Sequence, residues 1–165
     1  MARRRKIDRV NLKTRDILNA LESRYKGNEY AFFLELRVGT GYDTAKGLPG
    51  SEQRIDAFAM SCWPSSGFER TSFEIKVSRG DWLKELKRPY KRLIAHRLCN
   101  RFYFVTPKGL ISKEEIPLEC GLMEVDKEHN LRIKIQAPFH ESDAPTWIFV
   151  ASLARRVKRT EVDNV

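Results

Sequence analysis

The segment Phe73-Glu74-Ile75-Lys76-Val77 constrains this chain more than any other. Apolar and charged side chains alternate through it, and residues two apart on a β-strand share a face. Phe73, Ile75 and Val77 therefore enter one layer, while Glu74 and Lys76 stand side by side on the opposite face. Eighteen positions before Glu74, Arg54-Ile55-Asp56 opens a second apolar segment that also reads as a strand. A carboxylate and an ammonium beside a second carboxylate make a polar island in a hydrophobic sheet, and a core does not call for one. An isolated Glu-x-Lys is most often a cross-strand ion pair worth little. Asp56 on the neighbouring segment sets this one apart.

The rest of the chain supplies a frame. Residues 1–10 carry Arg3, Arg4, Arg5, Lys6 and Arg9 against Asp8 and read as a flexible basic arm. Residues 11–160 read as one domain. Leu12, Ile17, Leu18 and Leu21 recur at helical spacing, predicting a helix from Leu12 to Tyr25 that Gly27-Asn28 ends. Tyr30 to Val38 is apolar around Glu35 and fits either a helical extension or a strand. The glycine-rich stretch 39–53 is a long loop. Arg54–Cys62 and Thr71–Ser78 form a hairpin through the turn Pro64-Ser65-Ser66-Gly67. Asp81–Leu98 is helical in composition but interrupted at Pro89. Strands follow at Arg101–Thr106, Glu119–Val125 and Leu131–Gln136. A C-terminal amphipathic helix, Trp147–Arg159, turns Ile148, Leu153 and Val157 inward. This order indicates a mixed α/β domain.

Composition excludes several classes. The 165 residues are 41% hydrophobic and 32% charged, which fits a globular chain. No apolar run reaches the roughly 20 residues of a membrane span, so no membrane partner is expected. The basic N-terminus lacks an apolar signal core, and a cytoplasmic location is expected. Cys62, Cys99 and Cys120 are widely spaced, and His96, His129 and His140 show no ligand spacing. Buried thiols in a reducing compartment are expected, not a zinc site or a disulfide framework. A net charge of +9 suggests a polyanionic partner without specifying one.

With Asp56 and Glu74-Ile75-Lys76 in place, the sequence resembles the PD-(D/E)XK nuclease superfamily, and within it the MmcB-like DNA repair proteins. Phe73-Glu74-Ile75-Lys76-Val77-Ser78-Arg79-Gly80-Asp81-Trp82 is similar to that family's Glu-x-Lys-x-Ser-Arg-x-Asp-Phe signature. Pro89-Tyr90 and Cys99-Asn100-Arg101-Phe102-Tyr103-Phe104-Val105 match its pattern in the same order. The superfamily's Pro-Asp is here Ile55-Asp56. The resemblance implies a restriction-endonuclease-like fold, a mixed central sheet flanked by helices. It implies Asp56 and Glu74 as metal ligands and Lys76 as the catalytic lysine. Glu35 matches the acidic residue of the first core helix, with Glu29 as the alternative. It further implies cleavage that leaves a 5′-phosphate and a 3′-hydroxyl, and a role in DNA repair or recombination.

The chemistry suits these residue types. A phosphodiester is an anion and repels an incoming hydroxide. Hard Mg²⁺ or Mn²⁺ held by carboxylates activates water and offsets charge on the phosphate oxygens. Asp56 and Glu74 would supply ligands, with the Ile75 carbonyl as a third and Glu35 binding a second ion or positioning water. Lys76 would orient the attacking water or stabilise charge, and a pKa lowered by the metal would make it a conceivable base. Arg54 and Arg79 are candidates for phosphate contact. Lys84, Lys87, Arg88 and Lys91, in pairs four apart, form either a phosphate track or a solvated helix face. Asp81 reads as a helix N-cap, and Tyr90 either packs under the sheet or faces nucleic acid. Phe102, Tyr103 and Phe104 split between the two faces of a strand and favour core packing over base stacking. The basic end of the last helix fits a nucleic-acid contact, a dimer element or a solubilising tail equally. The expectation is a Mg²⁺-dependent DNA nuclease, with RNA and a homodimer left open. The rival is a non-catalytic nucleic-acid binder on the same scaffold.

Overall fold

The computed structural model describes residues 10–38 and 53–163, with side chains through residue 157. Among the described residues the strands form one six-stranded sheet in the order β1-β2-β3-β4-β5-β6. They are β1 (Tyr30–Arg37), β2 (Arg54–Ser61), β3 (Arg70–Ile75), β4 (Arg101–Pro107), β5 (Gly121–Val125) and β6 (Leu131–Ile135). The β3-β4-β5 centre is parallel, and the outer pairings are antiparallel. This is the expected α/β architecture, a mixed central sheet flanked by helices. The basic arm and the glycine-rich loop lie outside the described residues, apart from their ends Val10 and Gln53. No helix among the described residues is long and apolar enough to cross a membrane.

Helix α1 (Thr14–Arg24) covers one face of the sheet. Asp16 closes its N-terminus by accepting the Lys13 backbone N–H at 2.8 Å, and Gly27 at φ +90° turns the chain away beyond its end. Ile17, Leu18, Ala20 and Leu21 recur at helical spacing and pack on Phe73, Ile75, Tyr103 and Val105. The other face carries α2 (Arg79–Leu86), α3 (Leu93–Leu98) and α4 (Trp147–Asp163). Trp82, Ala95, Leu98 and Phe149 from these helices meet Phe58, Phe102 and Phe104. The three consecutive residues of β4 thus divide between the layers as strand alternation requires.

Several elements depart from expectation. Tyr30–Arg37 is a strand, one of the two readings its sequence allows, so Glu35 lies on β1 and not on the core helix that the resemblance implied. The apolar run was too short for periodicity to decide, and seven backbone pairings with β2 decide it. The run Asp81–Leu98 breaks into α2, a 3-10 turn over Pro89–Arg92, and α3. Proline lacks an N–H and clashes with the preceding turn, so α2 stops before it. Lys84/Arg88 and Lys87/Lys91 consequently do not share a continuous helix face. Ser78, not Asp81, is the N-cap of α2: its hydroxyl accepts the Asp81 N–H at 3.2 Å. On α4 the inward face is Phe149, Ser152 and Leu153, while Ile148 and Val157 are exposed. Thr146 sets that rotation by accepting the Phe149 N–H, and Ser152 donates to the Arg37 carbonyl. Cys99 and Cys120 are buried as expected, but Cys62 is exposed.

Gly121 marks a close approach at the start of β5. A Cβ there would collide with the Tyr103 ring and lie 2.6 Å from the Ala137 nitrogen. Since backbone cannot move aside cheaply, Gly121→Ala is expected to lower stability by about 1–3 kcal/mol in urea unfolding. An unchanged midpoint would refute this packing.

Candidate functional site

The β2–β3 ladder ends at the pair Ala57↔Phe73. Beyond it the strands part, and the Ile75 N–H is taken by Asp56 Oδ2 at 2.8 Å. Asp56 is thereby fixed beside the end of β3. On β1, Glu35 falls between the pairs Leu34↔Ala57 and Leu36↔Ile55, level with Asp56. It adopts φ +48°, a left-handed conformation that costs a non-glycine residue roughly 1–2 kcal/mol. Side-chain alternation changes phase here: Leu34 packs on the α1 side, whereas Leu36 and Ile55 join the opposite core. The strained residue and the strand separation meet at the acidic cluster.

Glu74 and Lys76 share a face, as β3 alternation requires. Lys76 Nζ lies 2.7 Å from Glu74 Oε1 and 3.3 Å from Glu85 Oε2. Glu85 Oε1 meets Arg92 at 3.5 Å, and Arg92 continues to Glu119 at 3.2 Å. Glu85 and Arg92 are buried and Glu119 is half exposed, so the middle of this chain of alternating charge lies under the surface, where removing one member strands a buried charge. No motif in the sequence singles out Glu85. The available signal was its position three residues after Trp82, which puts it on the inward face of α2.

Burial, followed by repulsion from Asp56, pushes the Glu74 carboxyl up to about 7. Burial also raises Asp56, despite the Ile75 N–H and Lys76 favouring its anion. Lys76 is drawn down by burial, but Glu74 and Glu85 outweigh this and hold it above its ordinary value. Without a metal ion, these neighbours hold Lys76 as an ammonium and a donor.

Glu74, Lys76 and Glu85 line a cleft of about 890 Å³ shared by Arg54, Lys84, Arg88, Lys91, Arg92 and Arg97, and Asp56 sits behind this lining. Lys87 is not part of the lining. Arg79 is directed elsewhere: its guanidinium binds the Glu115 carboxylate through both terminal nitrogens, holding Glu115 down to about 2. Asp81 lines the cleft near Lys84. Tyr90 lines the cleft and is 63% exposed. Glu29, the alternative to Glu35, is exposed in the turn before β1.

Asp56 and Glu74 suit a hard divalent ion that completes its shell with water and phosphate oxygens, since Mg²⁺ commonly takes one or two carboxylates. A cation would relieve the cost that burial imposes on both anions. Among the described residues no group of three Asp, Glu, His or Cys side chains is arranged to hold a metal ion.

No protein-family model matches the chain, and no curated protein sequence matches it. Among solved structures it is similar to the SPO1766 protein of unknown function from Silicibacter pomeroyi. The TM-score is 0.57 at 21% identity, over 93% of this chain and 89% of that one. That likeness shows a shared α/β fold.

Proposed function

We propose that this protein is a metal-dependent nuclease that hydrolyses DNA phosphodiester bonds, in DNA repair or recombination as its resemblance to MmcB-like proteins implies. The observation that carries the reading is the meeting of Asp56, Glu74 and Lys76 where β2 and β3 part, with Glu74 and Lys76 on the wall of a basic cleft. A Mg²⁺ or Mn²⁺ ion at Asp56 and Glu74, with the Ile75 carbonyl as a further oxygen, would activate water and offset phosphate charge. Lys76 donates to the reacting phosphate by exchanging its Glu74 contact for a phosphate oxygen. Glu85, itself tied to Arg92, keeps the ammonium in reach during that exchange. Glu35, level with Asp56, positions water. Arg54, Lys84, Arg88 and Lys91 hold flanking phosphates. The setting we propose is cytoplasmic.

A second reading is a non-catalytic DNA-binding protein on the same scaffold. The placement of Lys76 between two carboxylates favours it, because that ammonium is already satisfied. The readings separate on a panel of labelled DNA and RNA substrates with Mg²⁺ or Mn²⁺. A nuclease leaves metal-dependent products with 5′-phosphate ends, and Asp56→Ala reduces the rate by roughly 10²-fold or more, the scale of losing a main source of transition-state stabilisation. No product, with salt-sensitive DNA binding retained, selects the binder. Product that survives Asp56→Ala places the chemistry elsewhere.

A further inference from the structure

The lining of the cleft is not simply basic. Tyr90 and Leu93 are 63% and 57% exposed, and both line it together with Ile94. Single exposed apolar residues are ordinary on any surface. Here an aromatic ring and two aliphatic side chains lie together among cations in a concave site. Arg88 and Lys91 flank Tyr90 in sequence and line the same cleft, and neither has an ion-pair partner among the described residues.

The Tyr90 platform is also held in place. Pro89 opens the 3-10 turn over Pro89–Arg92 and restricts its first φ. Arg92 closes the turn, buried, with its guanidinium bound to Glu85 and Glu119 and lying over the Phe104 ring. An exposed aromatic on an anchored turn loses little conformational freedom on binding.

A ring of this kind needs a partner with a free π-face. Bases in a duplex are stacked on each other and offer none unless a nucleotide is flipped out, which costs a few kcal/mol. An unpaired strand presents its bases at much lower cost, and neutral aromatic platforms beside backbone-tracking cations are how such strands are held. A cleft of about 890 Å³ is on the scale of a small-ligand site and suits a few nucleotides, not a helix laid across it.

We propose that the cleft takes a single-stranded segment of DNA, with Tyr90 stacking an unpaired base and Arg88 and Lys91 holding the adjoining phosphates. This rests on the nuclease reading for its substrate class, and names within it the strand state selected: single strands, gaps or frayed ends over intact duplex.

The test is equilibrium binding of the full chain to a short fluorescent DNA oligonucleotide, as a single strand and as a blunt duplex. EDTA is present so that no cleavage intervenes. The single strand is expected to bind at least tenfold tighter than the duplex. Tyr90→Ala should weaken single-strand binding roughly tenfold and leave the salt dependence unchanged. Tyr90→Phe, which keeps the π-face, should remain within about twofold of the parent. Arg88→Ala and Lys91→Ala should each flatten the salt dependence by roughly one ion. Equal affinity for the duplex, or no loss in Tyr90→Ala, overturns the proposal. An RNA strand of the same sequence binding as tightly as the DNA overturns the assignment to DNA. The two readings fail separately. Tyr90-dependent single-strand binding without metal-dependent cleavage would remove the nuclease and leave this site standing. Duplex cleavage indifferent to Tyr90→Ala would do the reverse.

Discussion

Lys76→Ala is expected to lower the metal-dependent cleavage rate by roughly 10²–10³-fold, the scale of losing one charged donor to a transition state. It should change DNA affinity far less, because several other cations line the cleft. The substitution should also cost stability. Lys76 separates Glu74 from Glu85 at 2.7 and 3.3 Å, and removing one member of a buried charge set costs about 3–5 kcal/mol. The two effects can be told apart. In Lys76→Ala/Glu85→Gln one of the stranded carboxylates is neutral, and Arg92 still has Glu119. Urea unfolding should show the double variant more stable than Lys76→Ala alone, while turnover stays low. Recovery of cleavage along with stability would mean that Lys76 acts only through the fold.

Glu74→Gln should lose cleavage yet stabilise the metal-free protein at pH 8. The folded carboxyl titrates near 7, well above its ordinary 4.5, because burial and Asp56 penalise the anion. Between these values the folded chain holds a proton that the unfolded chain has released, so stability contributed by this group falls as pH rises through the window. The full penalty applies above pH 7 and vanishes below 4.5. Glutamine keeps the shape without the charge, and the gain at pH 8 is expected to be on the order of 2 kcal/mol. Urea midpoints at pH 5 and pH 8 in EDTA check this. The difference between parent and variant should be small at the lower pH and open up at the higher. Added Mg²⁺ should stabilise the parent and not the variant. A variant less stable than the parent by the same margin at both pH values would show that the buried anion carries no penalty.

The period-two pattern of β3 was legible in sequence because alternation is a local property of an extended chain. It assigned Glu74 and Lys76 to one face and Phe73 and Ile75 to the other, the face that the fold covers with α1. The hairpin turn at Pro64–Ser66, the break at Pro89 and the division of Phe102, Tyr103 and Phe104 between layers followed from equally local rules. Tyr30–Arg37 gave no such signal. Its length suits either element, and only pairing with β2 made it a strand.

What tertiary structure decided was which charge reaches which. Glu85 and Arg92 entered the site because the β3-to-β4 crossover lays α2 and the Pro89 turn back over the sheet, closing distances that no spacing along the chain encodes. Arg79 left the site for the same reason, since Glu115 comes within reach only after β4 has passed through the sheet. The inward face of α4 turned on Thr146 and the Arg37 carbonyl, a cap and an acceptor from distant parts of the chain. Sequence by itself determined the faces of individual elements, through backbone periodicity and the constraints of proline and glycine. The burial that raises Glu74 and the neighbours that keep Lys76 charged are properties of the assembled sheet and helices, because desolvation and Coulomb attraction depend on distances in space.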